Sequence, residues 1–190
     1  MTDTDSRAAG FPGWAVNIDS ALPVTSQFIV HGNLRDRFLM PEGALLPLDL
    51  ALWRCLRVSG YSYLLWHTPS DLRVVAQTAE EFEAATAAVC GVLGVTPAQL
   101  PRSVATEDLL PLLQRIAAPG GVHGAIVLDY VSQWRPAGDP PTDAEHALMR
   151  GALAITHRSL AFPVPGGPRP SALHNPVFWL VDRPGDLPSW

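Results

Sequence analysis

Ala125-Ile126-Val127-Leu128-Asp129 decides the fold. Four apolar residues stand in unbroken succession and a carboxylate closes the run. A strand with one wet face alternates apolar and polar side chains, whereas a continuous run suits a parallel sheet covered on both faces. The run extends to Tyr130, and three other stretches share its character: Phe28 to His31, Tyr61 to His67 and Val177 to Asp182. Four buried strands are therefore predicted.

The segments between them carry helical spacing and helical ends. Pro47 can open a helix whose Leu48, Leu52 and Cys55 share one face and which stops at Ser59-Gly60. Thr78 with Glu81 forms a capping-box pattern ahead of Phe82, Ala85, Val89 and Leu93. Thr106, followed by Glu107 and Asp108, opens a third helix with Leu109, Leu112, Leu113 and Ile116 as its stripe. Thr142 with Glu145 repeats the capping box before a helix running to about Leu160. The order is strand, helix, strand, two helices, strand, helix, strand. Short alternation of this kind predicts right-handed crossovers onto a mostly parallel sheet, an α/β three-layer sandwich. Residues 1–26 read as an amino-terminal extension and 27–190 as the α/β domain, with proline- and glycine-rich loops at Arg135 to Pro141 and Pro163 to Pro170.

Composition bounds the chemistry. A chain of 190 residues, 47% of them hydrophobic, is enough for one core. Net charge of −5 and a pI near 5.6 give no general attraction to nucleic acid or anionic membrane. The polar, acidic start lacks the basic and apolar regions of a signal peptide, and no apolar run reaches the ~18 residues of a membrane span, so a cytoplasmic location is expected. Cys55 and Cys90 form no CxxC and read as buried thiols. All 13 basic residues are arginine. Without lysine there is no G-x-x-x-x-G-K-[ST] phosphate loop and no Schiff-base amine.

In open parallel sheets, ligands bind beyond the carboxyl ends of the strands. The residues there are His31-Gly32-Asn33, His67, Asp129 and Asp182. Residues 125–129 fit a Walker B strand, whose terminal Asp holds the magnesium of a bound nucleotide; they equally fit a strand whose Asp caps a loop. Tyr130 stands where a hydrolase would place the Glu that polarises water. Gly32-Asn33-Leu34-Arg35-Asp36 follows the first strand and precedes a helix, the topological place of a phosphate loop. It fits a tight turn as well, with Gly32 and Asn33 tolerating positive φ and Arg35 free to meet an anion as a bidentate donor.

Taken together, His31-Gly-Asn-Leu-Arg-Asp-Arg-Phe38, Leu52-Trp-Arg-Cys-Leu56, Ile126 to Asp129, Asn175-Pro-Val-Phe-Trp-Leu-Val-Asp182 and Asp186-Leu-Pro-Ser-Trp190 resemble the amino-terminal region of bacterial AAA-family ATPases in which a degenerate module without Walker A precedes a complete ATPase module. The resemblance implies a P-loop-NTPase-like topology lacking the phosphate loop and lid, with Val177 to Asp182 as the sensor strand and Gly32 to Asp36 replacing the phosphate loop. It implies a pseudo-ATPase fold, and the nucleotide-fold order of elements with the missing lysine and missing Glu leads to the expectation of a non-catalytic module that assembles with an ATPase or a larger complex and requires no cofactor. The alternative is a regulatory domain that binds ATP and magnesium through Gly32, Asn33, Arg35, Asp129 and Asp182, with Asp129 on the metal, or else part of an active ATPase. The chain stops at Trp190, before the last strand, lid and active module of such proteins, so it is either a fragment or joins another polypeptide.

Other constellations are poorer. His31, His67, His123, His146, His157 and His174 show no metal-ligand spacing, and no G-x-S-x-G elbow presents a nucleophile. A third possibility, unrelated chemistry at His31, His67 or Asp182, has only their location in its favour. Trp53, Trp66 and Trp179 read as core, while Trp14, Trp134 and Trp190 suit an interface. Val177 to Asp182 is expected to leave an open sheet edge, and the tail Pro184 to Trp190 to lie against a partner.

Overall fold

The computed structural model describes residues 10–118, 122–129, 142–159 and 175–181. They run α1 (Gly13–Ala21), β1 (Gln27–His31), β2 (Arg37–Leu39), β3 (Leu45–Pro47), α2 (Leu48–Val58), β4 (Tyr63–Thr68), β5 (Asp71–Val74), α3 (Ala79–Leu93), a 3-10 turn (Pro97–Gln99), α4 (Thr106–Ile116), β6 (Gly124–Leu128), α5 (Asp143–Ser159) and β7 (Val177–Val181). The four predicted strands, joined by β5, form one five-stranded sheet in the order β1-β7-β6-β4-β5. β1, β7, β6 and β4 are parallel, and β5 folds back antiparallel onto β4.

Continuous apolar runs place both faces of each central strand in a core. Tyr63, Leu65, Ile126, Leu128, Val177 and Trp179 pack on one side under α3, α4 and α5. Leu64, Trp66, Ala125, Val127, Phe178 and Leu180 pack on the other, against Leu48, Leu52 and Leu56 of α2 and Ile18 of α1. The result is the expected three-layer sandwich. Trp53, Trp66 and Trp179 are buried, and so are the free thiols of Cys55 and Cys90.

Local signals act as their chemistry dictates. The Thr142 hydroxyl accepts from Glu145 N while Glu145 reaches back to Thr142 N, a complete capping box. Thr78 accepts from Glu81 N, but the Glu81 carboxylate turns to Gln77 N and the Trp53 indole. Gly94 ends α3 at φ 65°, the left-handed cap that glycine adopts without strain. Gly124 has another reason: a Cβ there would meet the buried Tyr63 ring at 1.9 Å.

The amino-terminal stretch before residue 27 carries α1, whose Ile18 is buried in the core together with Leu22 just after the helix. α4 does open at Thr106, as expected, with Ala105 at its cap position. Several expectations need correction. Between the Gly32 turn and α2 lies the antiparallel β2–β3 hairpin, so the turn does not open into a helix. Phe82 is 50% exposed and stands outside the α3 stripe. Val177 to Val181 is not an edge: β7 pairs with β1 on one side and β6 on the other, and among the described residues the outer parallel strand is β1. The 135–141 and 163–170 loops, Trp134 and the tail 184–190 lie outside the described residues.

Candidate functional site

At the carboxyl edge, four features converge: the end of β6, the end of β4, the turn after β1 and the amino terminus of α2. Asp129 follows β6 directly. Its backbone N–H donates to His67 O across the β4–β6 pairing, at 2.9 Å. By alternation along the strand, its side chain belongs to the α2 face, with Val127. There the Trp66 indole Nε1 donates to Asp129 Oδ2 at 2.8 Å. Trp66 is 6% exposed, so this bond lies in a poorly solvated setting.

The Trp66 ring also carries a cation. Arg73, its register partner on β5, lies with its guanidinium 5.6 Å from the ring centroid, within cation–π range. Arg73 Nη2 bonds Asp49 Oδ2 at 2.8 Å, and Asp49 Oδ1 accepts from Leu50 N at 2.8 Å. Asp49 thus places its own carboxylate on the first turn of α2, where an anion would otherwise be favoured. A connected chain runs from the α2 amino terminus through Asp49, Arg73 and Trp66 to Asp129.

Burial pushes the Asp129 carboxyl above the ordinary carboxylate range. The Trp66 bond and the charges of Arg73 and Arg35 pull it back down, and Asp49 pushes it up again. Arg35 is therefore electrostatically coupled to Asp129, although their parent strands are separated by β7 in the sheet.

The five predicted positions fare differently. Gly32 takes φ 109°, a conformation that favours glycine, and a Cβ there would meet open space; its O accepts from Leu34 N at 2.8 Å, and Asn33 O accepts from Asp36 N at 3.1 Å. Gly32 and Asn33 form the tight turn, Arg35 and Asp129 are electrostatically linked, and Asp182 lies outside the described residues. His31 is exposed at the end of β1. His67 is only 1% exposed, and its Nε2–H donates to Val104 O at 2.9 Å, a packing role away from any open edge. Sequence reasoning missed Trp66, Arg73 and Asp49 as site residues. Asp49 had a legible signal, its place in the first turn of a predicted helix; Arg73 lay in a segment given no element.

These residues do not fit a magnesium nucleotide held as an ATPase holds it. One Asp129 oxygen accepts from Trp66, the turn after β1 leads into a hairpin, and the α2 terminus carries Asp49. Among the described residues no group of three or more His, Cys, Asp or Glu is arranged to hold a metal ion. None of the described helices is long and apolar enough to cross a membrane.

Fold and edge together define a Rossmann-like α/β domain without a phosphate loop. The family model of the AAA+ chaperone N-terminal Rossmann-like domain matches residues 4–190, and the chain belongs to that family. No curated protein and no solved structure matches it.

Proposed function

We propose that this chain is a non-catalytic, AAA-like module that mediates assembly with an ATPase or a larger protein complex. The observation that carries the reading is a carboxyl edge whose groups bond one another: Trp66 donates to one Asp129 oxygen, and Asp49 bonds Arg73 at the α2 terminus. Family membership supports it, as does the lack of any lysine in the chain. Hydrolysis would also lack a general base, since Tyr130 follows Asp129. The protein works in the cytoplasm in this reading, in a bacterial cell, and needs no cofactor of its own. The test is phosphate release by the purified chain with Mg-ATP or Mg-GTP. No turnover is expected, and any residual rate should survive Asp129→Ala as contamination does. Turnover abolished by Asp129→Ala overturns the pseudo-ATPase reading.

A second reading rests on Arg35, the cation after β1 that is coupled to Asp129. Here the edge retains a nucleotide without hydrolysing it, held by Gly32, Asn33, Arg35, Asp129 and Asp182. A nucleotide at ~100 times its dissociation constant stabilises the fold by ~2.7 kcal/mol. ADP at millimolar concentration should then raise the melting temperature of the wild type but not of Arg35→Ala. An unmoved wild type retires this reading.

A further inference from the structure

On the opposite face of the sheet from the Asp129 edge network, α4 carries a groove with no assigned role. Asp108, Pro111, Leu112 and Arg115 follow one another at helical intervals along its floor. The walls are Leu93 and Val95 after α3, with Pro101, Ser103, Val104 and Ala105 from the segment before α4. The volume is 340 Å³, within the range of sites that take a small ligand or a few side chains.

Two bonds fix this wall. Leu72 N donates to Arg102 O at 2.6 Å, and the buried His67 donates to Val104 O. Arg115 Nη1 donates to Leu93 O at 3.0 Å, which uses one of five guanidinium N–H groups and holds the cation at the groove's end. The lining is therefore preformed, apolar in the middle, acidic at Asp108 and basic at Arg115. Seven residues of helix separate the two charges by roughly 10 Å along the axis. Two steps of extended chain, from one flanking residue to the other across a central one, span about 7 Å, and long flanking side chains cover the remainder.

We propose that this groove binds an extended peptide segment of a partner protein, in which an apolar residue stands between a basic residue, facing Asp108, and an acidic one, facing Arg115. The proposal rests on the reading of the chain as an interaction module, names one recognition surface for it, and leaves the nucleotide experiments untouched. Its failure would remove the surface and not the assembly role.

The probes are three labelled peptides, Gly-Arg-Leu-Glu-Gly, Gly-Arg-Leu-Arg-Gly and Gly-Glu-Leu-Glu-Gly, titrated by fluorescence anisotropy at low salt. The mixed-charge peptide should bind about fivefold more tightly than either like-charged one, as two exposed ion pairs allow. Ser103→Trp, which places a ring over the groove from an exposed position, should weaken all three. Arg115→Glu should turn the preference to the Arg-Leu-Arg peptide, and Asp108→Arg to the Glu-Leu-Glu peptide, in variants whose circular dichroism matches wild type. Equal binding of the three peptides, or binding indifferent to Ser103→Trp and both charge reversals, overturns the proposal. So does concentration-dependent self-association lost in Ser103→Trp, which assigns the groove to a second copy.

Discussion

His67 shows how one buried side chain makes this fold sensitive to acid. Burial lowers its pKa below the ordinary 6.5, while the bond to Val104 O and the charge of Asp71 act in the opposite direction without cancelling the effect. The folded protein therefore resists taking the proton that the unfolded chain accepts. Stability is fully present above about pH 6.5 and falls as pH drops through that value toward the folded pKa. Thermal melts from pH 7.5 to 5.0 should show this decline, and His67→Gln should flatten it while lowering stability throughout by about 1–3 kcal/mol from the altered Val104 contact. An equally steep decline in the variant assigns the acid sensitivity elsewhere. Asp129 works in the other direction and in another window, since its raised pKa removes stability as pH rises above 3.8. At this scale the sequence was partly legible. A strand-terminal Asp can be found by pattern, but the indole that holds it comes from another strand, and only the β4–β6 register brings Trp66 beside it.

Among the elements, those with a strong local signal were readable and those made by tertiary pairing were not. The four apolar strands and the α2, α3, α4 and α5 helices follow from periodicity and caps. β2, β3 and β5 are three or four residues long and half-exposed, too short for alternation to register. α1 escaped notice because its stripe is weak, yet it docks firmly: Cys55 Sγ donates to Ala15 O at 3.6 Å, and the Ser59 hydroxyl donates to Asp19. Burial and the nearby Asp19 carboxylate push the Cys55 thiol up to about 12, so it stays a protonated donor at neutral pH. Leu22, at the carboxyl end of α1, is 1% exposed, whereas Val24, two residues on, is 71% exposed. Leu22→Ala should therefore cost about 2–5 kcal/mol in urea unfolding. Val24→Ala should stay within about 0.5 kcal/mol of wild type. Equal, small effects would mean that α1 is a detachable appendage.

For the whole molecule, the mostly parallel sheet and its two covered faces agree with the sequence because they rest on continuous apolar runs, and the family agrees with the resemblance carried by such stretches as His31 to Phe38 and Asn175 to Asp182. The carboxyl edge was less legible. Its geometry depends on a hairpin that diverts the turn after β1 and on an ion pair between α2 and β5, neither of which leaves a mark in spacing. In the pseudo-ATPase reading proposed above, Trp66, Arg73 and Asp49 occupy the place a magnesium nucleotide would need. The Trp66 indole N–H resonance reports on it directly, since Nε1–H donates to Asp129 Oδ2. In an isotope-labelled sample titrated with Mg-ATP to millimolar concentration, the resonance should keep its position. A saturable shift of that resonance, abolished in Asp129→Ala, would mean that Asp129 exchanges the indole for a nucleotide-bound cation, and would overturn the pseudo-ATPase reading.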